Sequence, residues 1–430
     1  MSGKIKNELG ALSEHCLELG GNGKPTRLKK KVLEFIHLFS YLTDSRRKEY
    51  VVYPLESLVG ICFVLALMGK FTSFYGVEQY VKLHPGLFVK MGLLRKGQYP
   101  SNDTFMRAFA MIENSEFKEM TIGKMRDFFE KVTKAYGCDG KRILSGDGQV
   151  VRGTAVRHQD GTADHAVNIL NVYEAGTGIV IGSTVVGNKT NEIPVFQDFL
   201  RRMDLRQTIV TMDALHSQTK TAETIVSRGG DYLMKAKDNQ KGLRDMIIKL
   251  FSEREADRTE EVDGSRFSYM KLPDGYISPE WDGAKSIASM LSGARKGRTG
   301  GNNPEMQYFL TSLEDTEEIR EAITKRWLIE DDLHRFKDVQ LHQDLIRVRE
   351  RKALRNMVTL NNVVYGLYRI VAAMEKRTPQ QAMILYGDRP MALMKKVLPL
   401  MTGHDFTNLV KRNMRGSREG RKEKKACPSR

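Results

Sequence analysis

The sequence predicts an α/β protein, a mixed sheet with flanking helices, preceded by an all-α module and carrying a β-rich insertion. Three observations predict this. From Arg27 to Lys134 apolar residues recur with helical spacing. After Gly137 the texture turns to β-branched runs broken by Gly-containing turns. From Asn191 to Phe251 short apolar strands alternate with amphipathic helices, the pattern of a layered α/β architecture.

The helical module opens with RLKKKVLEFIHLFSYL, continues through YPLESLVGICFVLALMGK and SNDTFMRAFAMI, and closes in an amphipathic run ending at Phe129. Pro54 suits a first helical turn, where its missing N–H costs nothing. Ser101 or Asn102 followed by Asp103 reads as an N-cap with an acid in the first turn. The first strand is RILSGDG. In HAVNILNVYEAGTGIVIGSTVVG two β-branched runs flank the Ala175–Gly178 turn, which predicts a hairpin. A helix in NEIPVFQDFLRRM, a strand in TIVTMDA, a helix in TKTAETIVSRG, a strand in DYLMKAK and a helix from Asn239 to Phe251 follow. Between Ser252 and Leu313 the chain is rich in Gly, Ser and Arg, with short alternating segments such as RFSYMKL and MQYFLTSL, hence the β-rich insertion. Glu314 to Met401 reads as helical throughout, and the basic end KRNMRGSREGRKEKKACPSR lacks the apolar content to fold. The expected divisions are an extension over 1–26, a helical domain over 27–136 as the DNA-binding or assembly candidate, the first part of the α/β core over 137–251, the insertion over 252–313, the C-terminal helices over 314–402 and a basic tail over 403–430.

Composition narrows the function classes. Hydrophobic residues at 40% and charged residues at 28% are the proportions of a soluble globular chain. The longest apolar stretch, Leu58 to Met68, falls well short of the roughly 20 residues that cross a bilayer, and the N-terminus has no apolar core with a cleavage site. A cytoplasmic protein with no membrane partner is expected. Lys plus Arg number 69 against 53 Asp plus Glu, a net charge of +16 that favours a polyanion, nucleic acid first. Cys16, Cys62, Cys138 and Cys427 form no C-x-x-C pair, which fits reduced thiols without a structural zinc, and Cys62 reads as core. Three basic segments have two readings each, phosphate contact or solvated charge: Arg27 with Lys29, Lys30 and Lys31; Arg295, Lys296 and Arg298 in GARKGRTGG; and the tail.

Two carboxylates stand out by position. Asp147 lies between Gly146 and Gly148 at the end of the first strand, and Asp213 ends TIVTMDA. Strand ends in α/β sheets are where ligands bind, and two acids on neighbouring strand ends make an oxygen-only site of the type Mg²⁺ or Mn²⁺ prefers. Taken singly, an Asp after an apolar run is usually a cap or turn residue. Arg326, Glu330, His334 and Lys337 are spaced to share one helix face, either as part of a site or as a surface stripe of ion pairs. Glu192 begins a helix, where an acid is favoured by the dipole, and capping accounts for it without a role in the site.

The segments LSGDGQVVRGT around Asp147, IVTMDALHSQ around Asp213 and KRWLIEDDLHRFKDV around Glu330 resemble the DDE insertion-sequence transposases of the H-repeat-associated family. DSRRKEYVVYPLESLVGICFVLALMG, YPSNDTFMRAF, NKTNEIPVFQDFL and GGDYLMKAKDNQ extend the resemblance over most of the chain in the same order. It implies an RNase H-like sheet with the insertion between the second Asp and the Glu. It also implies that Asp147, Asp213 and Glu330 are catalytic carboxylates holding two Mg²⁺ or Mn²⁺ ions. The family's helix signature, Tyr-x2-Arg-x3-Glu-x6-Lys, falls on Arg326, Glu330 and Lys337, with Ile323 at the Tyr position; Gln149 stands where the first-Asp motif usually has Lys. Arg326 and Lys337 are then DNA-binding candidates, joined by His334 near the scissile phosphate and by Arg295, Lys296 and Arg298 in the insertion. Trp327 reads either as core or as a stacking platform for a displaced base.

The expected activity is metal-dependent DNA cleavage and strand transfer of an insertion sequence. The expected partners are double-stranded DNA, both terminal inverted repeats and target, with a homodimer on DNA and a nucleoid association while bound. Two alternatives stay open: a catalytically silent, transposase-derived DNA-binding protein, and a metal-dependent nuclease without strand transfer.

Overall fold

The computed structural model describes residues 36–119, 121, 141–156, 158–160, 162, 165–176, 178–186, 192–212, 217–237, 240–262, 265–273, 275–291, 306–326 and 333–401. The extension over 1–26, the Arg27–Lys31 cluster and the tail over 403–430 lie outside them. Two compact units emerge. One comprises Met1–Cys138, Val151–Ala166 and Arg335–Arg430, and the other Asp139–Val150 with Val167–His334. No helix among the described residues is long and apolar enough to cross a membrane.

The first unit is helical. Helix α1 (Leu55–Leu67) begins after Pro54 and is buried on nearly every side, as its all-round apolar sequence requires. Helix α2 (Phe74–Leu83) is capped by Ser73, whose hydroxyl accepts from Gly76 N–H; α3 (Pro85–Lys90) follows. Ser101 is the N-cap of α4 (Asn102–Met111), accepting from Thr104 N–H, with Asp103 in the first turn. A short α5 (Asn114–Lys118) completes this stretch. Edge-to-face contacts of Phe39 with Phe63 and Phe117 tie these elements together.

The second unit is built on one sheet, nine-stranded among the described residues. Its elements are β1 (Arg142–Val151), β2 (Val167–Glu174), β3 (Ile179–Val186), α6 (Glu192–Arg201), β4 (Thr208–Met212), α7 (Thr219–Ser227), β5 (Asp231–Ala236), α8 (Lys241–Glu253), β6 (Arg258–Val262), β7 (Ser265–Lys271), β8 (Ser286–Leu291), β9 (Met306–Thr311) and α9 (Thr316–Arg326). The strand order is β3-β2-β1-β4-β5-β9-β8-β7-β6. The expected hairpin is present as antiparallel β2 and β3, and β1, β4 and β5 run parallel. This is the expected mixed sheet with flanking helices. The segment read as an insertion extends that same sheet, β9 pairing antiparallel with β5 and β8, β7 and β6 following. Strand β1 also runs to Val151, past the point where Gly148 was expected to end it.

Pleating gives the sheet two unlike faces. On one, Leu144, Leu170, Val172, Val210, Met212, Tyr232 and Met234 pack under Phe196, Leu200, Ile225, Ile247 and Leu250 from α6, α7 and α8. The other face carries the polar residues described below.

The chain returns to the first unit with α10 (Arg335–Val339), α11 (Arg351–Glu375), α12 (Pro379–Tyr386) and α13 (Pro390–Met401). The region is not helical throughout: between α10 and α11 His342 takes a left-handed conformation, φ 51°, and only Gln343–Leu345 make a single 3-10 turn. Buried Asn356 anchors α11, its Nδ2 donating to the Phe109 and Ile112 carbonyls at the end of α4 and its Oδ1 accepting from Asn114. Tyr368 Oη donates to the Leu67 carbonyl at the end of α1, 2.6 Å away. Such side chains satisfy the carbonyls that helix ends leave open. Cys62 is a buried free thiol in α1, the core residue expected.

Candidate active site

Asp147 is flanked by glycines because α6 lies directly on the far face of β1. A Cβ on Gly146 would overlap the Phe196 ring, and one on Gly148 would stand 2.5 Å from Oε2 of Glu192. Glu192 and Phe196 are one helical turn apart and meet the two glycines two residues apart on the strand. By the same pleat Asp147 projects from the opposite face, so the Glu192 carboxylate packs on the far side of the sheet from it.

The face that carries Asp147 is polar across four neighbouring strands. Oδ1 of Asp147 accepts from Gly148 N–H at 2.8 Å, and the side chain keeps 26% of its surface open. Nδ1 of His334 lies 3.5 Å from Asp147 Oδ2. The other ring nitrogen, Nε2, lies 3.4 Å from Nδ2 of Asn171 on β2. Asn171 is fully buried; its Oδ1 accepts from Ser183 Oγ on β3 and its Nδ2 donates to Gln149 Oε1 on β1. On β4, Thr211 Oγ1 donates to the Leu144 carbonyl, which leaves the Ser145 hydroxyl to donate to Thr211 at 2.7 Å. Buried polar groups are costly unless paired, so a network of this extent marks a face shaped for something other than packing.

Register shows which strand ends meet. The last β1–β4 pair is Gly146↔Met212, and each of these residues is followed in sequence by an aspartate, Asp147 and Asp213. The last β4–β5 pair is Met212↔Met234, followed by Lys235, which is 7% exposed. Asp213, Glu330 and Trp327 lie outside the described residues, as do Arg295, Lys296 and Arg298.

The expected polar stripe is not a surface stripe. Arg326 is the last residue of α9 and 5% exposed. Leu333 and His334 have π-helical bonding, a geometry common at functional sites, before α10 resumes. Lys337 belongs to the helical unit and is fully buried, its Nζ donating to Asn362 Oδ1 at 2.9 Å. Burial pushes its ammonium down to about 7, against a small upward pull from Asp338. Arg326 and Lys337 are thus packed side chains, not the solvated cations that a surface face of ion pairs requires. Ile323 is buried in α9 at the position where the family signature has Tyr, and Gln149 is 5% exposed inside the Asn171 network.

Asn171, Ser183 and Lys235 were not singled out from the sequence. Their signal was there: each is a polar residue inside an apolar strand run, NILNVYE, IVIGSTVV or DYLMKA. Among the described residues no three His, Cys, Asp or Glu side chains converge closely enough to hold a metal ion. The oxygen chemistry of Asp147, partly open to solvent, nonetheless suits a hard divalent cation once further carboxylates join it.

Comparison with known proteins adds the family. Residues 139–367 match the model described as Transposase DDE domain, and residues 36–123 match one described as DDE_Tnp_1-associated. A relative from Escherichia coli O157:H7, named "Putative transposase YncI", is 25% identical over 79% of this chain and 87% of its own length. The "H repeat-associated putative transposase YhhI" of Escherichia coli K12 is 25% identical over 75% of this chain and 86% of its own. Among solved structures, a piggyBac transposase synaptic complex with hairpin DNA has a TM-score of 0.40 at 12% identity, covering 88% of this chain and 84% of that one.

Proposed function

Because the chain belongs to the transposase DDE domain family, we propose that it cuts and joins DNA at the ends of an insertion sequence, with Asp147, Asp213 and Glu330 as its metal-holding carboxylates. The observation that carries this reading is the register of β1 and β4. The final paired residues, Gly146 and Met212, immediately precede the two aspartates on parallel neighbouring strands. Asp147 lies within β1 beside the end of β4, after which Asp213 follows in sequence, and these two carboxylates are taken as the base of an oxygen site; Glu330 falls between Arg326 and His334 in the chain. When bound, two Mg²⁺ or Mn²⁺ ions supply a Lewis acid for the phosphodiester and neutralise charge on the entering and leaving oxygens.

The chain's own side chains do the rest. Asp147 would be one of the carboxylates that hold the ions, its Oδ1 accepting from Gly148 N–H. Lys235, one residue beyond the row that precedes the aspartates, and Arg326, at the end of α9, are the cations best situated to balance the phosphate. Arg295, Lys296 and Arg298, in the Gly-rich GARKGRTGG segment, are further candidates for contact with the DNA backbone. The basic excess of the chain, +16, supplies sequence-independent attraction for duplex DNA. Joining two element ends calls for two active sites, and so for a homodimer on DNA. Gln149 does not speak for a decayed site, since its amide is part of the buried network.

The test is nicking of a duplex carrying the element's terminal repeats in Mg²⁺. Asp147→Asn is expected to abolish nicking and strand transfer while DNA binding in a mobility-shift assay is retained. Nicking at the unmodified rate in that variant sinks the assignment, and nicking without joined products in the unmodified protein favours a plain nuclease.

A further inference from the structure

The segment after His342 carries a run of cations that the proposed reaction does not use. Past the 3-10 turn the backbone is extended at Ile346, ψ 126°. Ile346 and Val348 are buried while Arg347 and Arg349 are exposed, the period-two alternation of an extended chain packed on one side. The turn after β1 lies against this segment, since a Cβ on Gly153 would stand 2.6 Å from the Ile346 carbonyl oxygen. Arg347 and Arg349 therefore leave a pinned backbone on the same side, their Cα atoms about 7 Å apart. Arg351 and Lys352, both exposed, follow in the first turn of α11, and Arg355 lies one turn further along their face. We propose that Arg347, Arg349, Arg351 and Arg355 form a track on the helical unit that takes the sugar-phosphate backbone of duplex DNA. The inference rests on the reading that DNA is the partner and adds which side chains of the helical unit hold it.

Stability does not account for these cations. Elsewhere arginines sit beside carboxylates, as Arg46 does with Asp44, Arg202 with Asp198 and Arg206 with Asp204. Among the described residues no ion pair or side-chain hydrogen bond engages Arg347, Arg349 or Arg351. The acids nearby are used otherwise: Glu350 accepts from Ala353 N–H, and Glu113 stands 3.7 Å from Lys352. The first turn of α11 holds no acid, so Arg351 and Lys352 meet the positive end of the helix dipole, the unfavourable end for a cation. Arg355 Nε is buried and has no partner among the described residues. Lys118, the last residue of α5, lies near enough to Arg355 that burial first and the guanidinium second push its ammonium down to about 8. A buried N–H without an acceptor and two cations side by side each cost stability, and an anionic oxygen laid along the track relieves both. Four guanidinium groups in nine residues, set on an extended segment and then on successive turns of a helix, make a row and not a single pocket, the shape that a chain of phosphates fits. Contacts of this kind position a duplex and carry no sequence information.

The experiment is fluorescence anisotropy of the full chain with a labelled duplex that lacks the terminal repeats, repeated over a potassium chloride series. Each phosphate contact adds about 0.9 to the steepness with which the log of the binding constant falls against log salt. Arg347→Gln with Arg349→Gln is therefore expected to lower that slope by about 2 and to weaken binding equally for duplexes of unrelated sequence. Arg347→Lys with Arg349→Lys keeps both charges and is expected to keep the slope; loss of the slope in this pair overturns the charge account. Arg202→Gln with Arg206→Gln removes the same charge from arginines already paired with aspartates, and the slope is expected to stay as in the wild type. A wild-type slope in the Arg347 and Arg349 glutamine pair overturns the track, and so does an equal fall in the Arg202 and Arg206 pair, since net charge alone then explains the effect. Should the glutamine pair fail to fold, phenylglyoxal modification of the wild-type chain, read by mass spectrometry, decides: duplex DNA is expected to shield Arg347 and Arg349, and equal labelling with and without DNA overturns the inference. Wild-type protein that binds no duplex removes the DNA reading and the track together, whereas cleavage by Asp147→Asn removes only the carboxylate assignment.

Discussion

Replacing Lys337 by Met should make the protein more stable at acid and neutral pH, and the gain should vanish as the pH rises. Lys337 is fully buried, and burial lowers its ammonium from 10.5 to about 7. Between those values the unfolded chain binds a proton that the folded chain has released, so the wild-type protein gains stability with rising pH across that window. Below about pH 7 both states carry the proton and the full penalty is present. The difference between the two values amounts to about 5 kcal/mol, an upper bound, since relaxation and water entry reduce such penalties by roughly half. Met keeps the volume but removes the donor to Asn362 Oδ1, a loss of about 1 kcal/mol. The expected net gain for Lys337→Met is therefore about 1–3 kcal/mol at pH 6, falling through zero toward pH 10.

Urea denaturation of the two proteins at pH 6, 8 and 10, read as midpoints with a shared slope, measures this directly. A difference that does not change with pH, or a variant less stable at pH 6, refutes the reasoning. The same variant should lose nicking activity if the lysine is retained for function against its effect on stability, the usual direction of that trade-off.

Two further substitutions probe the scaffold. Gly146→Ala should destabilise the sheet unit by about 2–3 kcal/mol, because the added methyl overlaps the Phe196 ring; chemical denaturation should also show part of that loss recovered by adding Phe196→Leu, a non-additivity that an unrelated defect would lack. Asn356→Ala should cost about 3 kcal/mol, since the Phe109 and Ile112 carbonyls lose their buried donor and Asn114 its acceptor. A thermal melt with no shift for Asn356→Ala removes that account.

Much of this fold is legible in the sequence because local signals and tertiary packing agree. The Ser101 cap, the turn at Ala175–Gly178 and the alternation from Asn191 to Phe251 each appear where pattern places them. Helix α2 was less visible, although Ser73 caps it and Phe74, Val77 and Val81 give it a buried face. The break at His342 has no strong local marker, since a left-handed histidine is selected by its surroundings and not by its type. Spacing alone also misread the segment around His334. It put Arg326, His334 and Lys337 on one face of a continuous helix, with a surface stripe of ion pairs as one of two readings, whereas the bonding changes at Leu333 and His334 and both cations are buried. Periodicity reports which residues share a face and carries no information on whether that face meets water.

Two residues that sequence pattern did not single out, Asn171 and Lys235, and one that it did, Lys337, stand where local preference and burial conflict most. Asn171 is an amide inside a β-branched strand, Lys235 a cation in another, and Lys337 an ammonium in a helical core. Each lowers stability relative to an apolar side chain of similar size unless its hydrogen bonds are met. Glycines at 146 and 148 add a fourth conflict, since glycine weakens a strand interior, yet they let Glu192 and Phe196 approach β1 closely enough to brace the strand from behind. A sequence selected for stability alone would remove all four. Within the sheet unit, Asn171 and Lys235 lie on the face that bears Asp147 while the two glycines let α6 brace β1 from the other, an arrangement best explained by a demand for fixed charge geometry on one face of the sheet, with the opposite face left to pack.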